Sequence, residues 1–87
     1  MSISANELGP PAATHVSVTG TTIDIQLRDG RSLSVPVSWY PRLEHGTQAE
    51  RDHWTLIGSG VRIHWPDLDE DLRVDALIAG RPAYGAP

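Results

Sequence analysis

Apolar and polar residues alternate in three successive runs: Val16 and Val18, then Ile23, Ile25 and Leu27, then Leu33 and Val35. A period of two predicts half-buried β-strands. A two-residue turn at Gly20-Thr21 pairs Val18 with Ile23 and Val16 with Ile25, so all four share a face, and Gly at its first position suits type II′. Between the second and third runs, a two-residue loop would pair Leu27 with Ser32 and throw apolar residues onto opposite faces. A three-residue loop, Arg28-Asp29-Gly30, instead pairs Ile25 with Leu33 and Ile23 with Val35. That is a type I turn with a G1 bulge, and it needs Gly30 in the left-handed region.

Beyond Pro36 the alternation stops. Ser38 is placed to cap a short helical turn through Leu43, with Pro41 tolerated in its first turn. Thr47-Gln48-Ala49-Glu50 matches a capping box and predicts a surface helix of about two turns running toward Trp54. A turn at Ser59-Gly60 then pairs Leu56 with Ile63 and Trp54 with Trp65, setting two indoles across a hairpin. Trp54 also suits the end of the preceding helix. After Pro66 the clustered acids predict a turn, Leu72 and Val74 a last extended piece, and Asp75 a cap for Ala76 to Ala79, with Gly80 as the stop. The sum is a small α+β fold: an antiparallel β-meander, a short helical insertion, a second hairpin and a short C-terminal helix. Residues 1–13 and 81–87, rich in Pro and Gly, read as flexible tails around a single domain of residues 14–80.

The chain has 87 residues and no cysteine, so neither a disulfide nor a thiolate zinc site can staple it. A core of this size alone gives only about 3–5 kcal/mol. Binding to the native state adds stability, which favours a partner or a homodimer. No signal-peptide pattern and no apolar run of about 18 residues is present, so a soluble cytoplasmic protein with no membrane contact is expected. All seven basic residues are Arg, and the net charge is −4. Five of the eleven acids, Asp67, Asp69, Glu70, Asp71 and Asp75, fall within nine residues. Such a chain lacks the basic footprint of direct nucleic-acid binding. The complementary partner is a protein with a basic surface.

Asp67, Asp69 and Asp71 match the first ligand positions of an EF-hand loop, but the sixth position is Leu72 where Gly is needed, and the twelfth is Ile78 where Glu is needed. His15, His45, His53 and His64 form no HxH or HxxxH spacing. A catalytic role for His53 or His64 with Asp69 or Asp71 requires convergence in space. Gly58-Ser59-Gly60 reads as a hairpin turn, neither a nucleophile elbow nor a phosphate loop. No catalytic residue, metal or cofactor is assigned. Trp39 and Tyr40 are adjacent, so one of them faces outward, and an aromatic beside Arg42 has the composition of an interface hot spot. The candidate partner-binding residues are therefore Trp39, Tyr40 and Arg42 as the anchor, with Asp67, Asp69, Glu70 and Asp71 for electrostatic steering.

Asp29-Gly30-Arg31, the run from Val35 through Trp39-Tyr40-Pro41-Arg42 to Leu43, then Arg51, Trp54 and Gly58, and the run Ile63-His64-Trp65-Pro66-Asp67-Leu68-Asp69-Glu70-Asp71 together resemble the domain-of-unknown-function 2442 family of small bacterial and phage proteins. The resemblance spans about Val16 to Gly80; Val61-Arg62 and the longer N-terminal tail depart from it. It implies a compact α+β fold, has no established catalytic residues to carry over, and suggests a role beside a second small protein in the manner of toxin–antitoxin pairs. The phage members suggest an alternative, an anti-CRISPR-like inhibitor occupying a basic nucleic-acid-binding surface of a host defence complex. The expected function is thus a non-enzymatic protein-binding module, antitoxin-like or regulatory. A second alternative is a small metal-dependent enzyme.

Overall fold

A computed structural model of the chain describes residues 9–80. Strands β1 (Ala13–Val18), β2 (Thr22–Leu27) and β3 (Ser32–Pro36) form one antiparallel sheet in that order. A 3-10 turn (Val37–Trp39) and two short helices, α1 (Pro41–Glu44) and α2 (Gln48–Asp52), lead to a second antiparallel sheet of β4 (Thr55–Ile57), β5 (Arg62–Trp65) and β6 (Glu70–Arg73). Helix α3 (Val74–Ala79) follows directly. This is the small α+β architecture anticipated from the hydropathy pattern. No described helix is long and apolar enough to cross a membrane.

The alternation in the first three runs becomes the inner face of the first sheet. Val16 pairs with Ile25, Val18 with Ile23, Ile25 with Leu33 and Ile23 with Val35. Gly30 sits at φ +94, as the three-residue loop requires. The first turn differs from expectation: Gly20 is not left-handed, which rules out type II′. Thr19 supplies the reason, because its hydroxyl accepts the N–H groups of Thr21 (3.2 Å) and Thr22 (2.9 Å) and closes the turn without a left-handed residue.

Residues 12 and 13 were expected in a flexible tail, yet Ala12 and Ala13 are 2% and 3% exposed. A bulge between Ala13 and His15 shifts the phase of β1, so that Ala13 and Val16 both point inward. Arg28 N–H donates to the Ala12 carbonyl (2.8 Å), and Ala13 N–H donates to the Gly60 carbonyl (2.7 Å), clasping the first sheet to the turn of the second hairpin. Residues 9–11 of the expected N-terminal tail are also described, while residues 1–8 and 81–87 lie outside the described residues.

Ser38 caps nothing; α1 starts from Tyr40, with Pro41 at its first position. The capping box at α2 is complete, since Thr47 Oγ1 accepts Glu50 N–H (3.1 Å) and Glu50 Oε1 accepts Thr47 N–H (2.8 Å). Leu56 pairs with Ile63 as expected, but Trp54 lies outside β4, so the expected Trp54–Trp65 pair is not part of the ladder. Trp54 instead packs edge-on against His15, with ring centroids 5.4 Å apart. Trp65 is fully buried, and its indole N–H donates to the Arg51 carbonyl (3.0 Å), which fixes α2 over the second sheet. Gly80 ends α3 in the left-handed conformation, whereas Asp75 pairs with Arg73 rather than capping.

Candidate partner-binding surface

Tyr40 and Trp39 divide as adjacent residues must: Tyr40 is 3% exposed in the core, and Trp39 is half-buried at the surface. Tyr40 is thus unavailable as an anchor, a correction to the sequence reading. Its burial pushes the phenol's pKa up, and the Glu70 carboxylate adds to that. The exposed part of the indole belongs to Trp39. Its ring tip lies beside the end of α3, where a methyl on Gly80 would stand 3.9 Å from it.

Arg42, on α1, reaches across to the acidic turn. Its guanidinium donates to the Asp69 backbone carbonyl (2.6 Å) and stands 3.9 Å from the Asp69 carboxylate. Asp69 adopts φ +50, a left-handed conformation that Asp tolerates, and its side chain is 95% exposed. The candidate cation and the most exposed candidate anion are therefore neighbours in space.

The other acids have partners that local sequence spacing does not reveal. The Asp67 carboxylate accepts from His53 Nδ1 at 2.8 Å. Asp71 takes a two-pronged bond from Arg62, whose Nε lies 3.1 Å from Oδ1, and this guanidinium holds the Asp71 carboxyl below its ordinary value. His64 Nδ1 stands 3.8 Å from the same carboxylate. Glu70 Oε1 accepts the Asp71 N–H (3.1 Å). Glu70 and Asp71 were expected in a turn; they lie in β6, opposite Trp65 and His64. Successive strand residues face opposite sides of a sheet, which separates the two like charges. The turn itself is Pro66 to Asp69.

His53 is oriented by its hydrogen bond to Asp67, whereas His64 Nδ1, buried and 3.8 Å from Asp71, has no hydrogen-bond partner; neither histidine lines the small cavity of about 70 Å³ walled by Pro10, Pro11, Leu27 and Arg28. Among the described residues, no three His, Asp or Glu side chains converge as metal ligands would.

A family model described as "Protein of unknown function (DUF2442)" matches residues 13–83. The chain belongs to the DUF2442 family. The match begins at the first residue of β1, so both sheets of this DUF2442 protein fall inside it. A crystal structure of a protein of unknown function from Rhodospirillum rubrum ATCC 11170 is similar at a TM-score of 0.70 and 24% identity, over 83% of this chain and 89% of that one. At that identity the likeness speaks to the fold. No curated protein matches the chain.

Proposed function

We propose that this DUF2442 protein is a non-enzymatic binding module, an antitoxin-like or regulatory partner of a protein with a basic surface. The observation that carries the reading is the bond from Arg42 to Asp69, which joins the segment bearing Trp39 to the acidic turn. One partner would then meet an indole, a guanidinium and an exposed carboxylate together. Trp and Arg are enriched among residues that dominate binding energy. Asp67 and Asp71 are held by His53 and Arg62 at 45% and 34% exposure, whereas the Asp69 carboxylate, 3.9 Å from Arg42, is 95% exposed and so offers the most accessible steering charge, with Glu70 next to it in the chain. The chain's net charge of −4 supports a basic partner.

The test is capture of the partner from the native host, followed by binding kinetics of variants against the purified partner. Trp39→Ala should weaken affinity by about tenfold, chiefly through faster dissociation. Asp69→Lys should slow association at low salt and change little at high salt. A partner that binds both variants as well as it binds the wild type would refute this surface. A captured nucleoprotein complex whose nucleic acid competes with the chain would favour the inhibitor reading instead.

A further inference from the structure

The register of the first sheet determines which backbone groups of β3 are already used. Val37 N–H donates to the Thr21 carbonyl (3.0 Å), and Leu27 N–H donates to the Arg31 carbonyl (2.8 Å). Hydrogen-bonded pairs alternate along an antiparallel ladder, so Val35 and Leu33 direct their backbone groups at Ile23 and Ile25. The backbone groups of Ser32, Ser34 and Pro36 point the other way, off the end of the sheet, and all three residues are exposed.

Two other strand edges, those of β6 and β1, are blunted. On β6, the outward Asp71 N–H is taken by the Glu70 carboxylate at 3.1 Å, and the strand carries Glu70, Asp71 and Arg73. On β1, the outward Val18 carbonyl accepts from Gln48 Nε2 at 2.8 Å. Strand β3 reads Ser-Leu-Ser-Val-Pro and carries no charge. An uncharged edge with free donors and acceptors is a template for another strand.

We propose that β3 pairs with β3 of a second copy of this chain about a two-fold axis at Ser34, merging two three-stranded sheets into one of six strands. The edge is complementary to itself. Ser34 faces Ser34 of the second copy and exchanges two N–H···O bonds with it. Each Ser32 N–H meets the opposing Pro36 carbonyl, so the N–H that proline lacks is missed only at the ends of the ladder. On the core face Leu33 stands opposite Val35 of the other copy, and Leu33, half-buried in the single chain, gains apolar cover. On the outer face small uncharged residues meet, while Asp24 is held back by the Ser34 hydroxyl at 2.6 Å. This edge is separate from the Trp39–Asp69 surface, and its use does not depend on the function proposed above.

Sedimentation velocity from micromolar to millimolar protein tests the pairing. The wild type should dimerise. Ser34→Pro should raise the dissociation constant by at least roughly tenfold. It should also keep the circular dichroism spectrum of the fold, because that N–H points away from β2 and proline is tolerated on the open side of an edge strand. If Ser34→Pro fails to fold, hydrogen exchange on the wild type decides, with the Ser32 and Ser34 amides slowing as concentration rises. A wild type monomeric throughout, a folded Ser34→Pro that still dimerises, or exchange independent of concentration would overturn the proposal.

Discussion

At Gly60 the backbone sits at φ +97, and a methyl on its Cα would fall 2.1 Å from the Ala13 carbonyl oxygen. Both the conformation and the space exclude a side chain, so Gly60→Ala should destabilise the fold by about 2 kcal/mol or more. Urea titration checks this, with Gly20→Ala as the control. Gly20 has open space around it and no left-handed φ, so its substitution should be close to neutral. The sequence marked Gly60 as a turn residue but held no sign of what would press against it, because Ala13 is brought there only when the sheets dock. Trp39 and Tyr40 show a related limit. Adjacency dictates that they point different ways, but which one points inward is set by tertiary packing, which buries Tyr40 in the core and leaves Trp39 beside the end of α3.

The elements with local causes were the legible ones. The three-strand register follows from alternation plus one left-handed glycine, and α2 follows from a four-residue capping box. Thr47→Ala removes one half of that box and should cost about 1 kcal/mol. The loss should register as a lower thermal midpoint and as a change in Trp fluorescence, since Trp65 hydrogen-bonds the Arg51 carbonyl within that helix. The indole pairing across the second hairpin was not legible, because strand β4 begins one residue after Trp54. Nor were the partners of the acids. His53, Arg42 and Arg62 lie on separate elements, and their distances to Asp67, Asp69 and Asp71 are set by how those elements pack.

Among the described residues, three carboxyls are held below the ordinary value of 3.8: Asp29 by the Arg31 backbone N–H, Asp71 by the Arg62 guanidinium and Asp75 by the Arg73 guanidinium. A carboxyl whose folded pKa is depressed contributes stability in full above its unfolded value, and that contribution is lost as pH falls through the folded one. The urea midpoint should therefore decline as pH drops below about 4, and Asp71→Asn should remove its share of the decline. These pairs lie at the surface, so the slope should be shallow and should flatten further in salt. The clasp between Ala13 and Gly60 acts on a different quantity, time. Each sheet is a meander of strands that are neighbours in sequence, so each assembles from short loops before the two meet. A clasp between the sheets is expected to close after that meeting, and a contact absent from the transition state alters escape from the native basin and leaves entry unchanged. Gly60→Ala should thus shorten the lifetime of the folded molecule while its refolding keeps the pace set by the hairpins, a split that stopped-flow kinetics in urea would show.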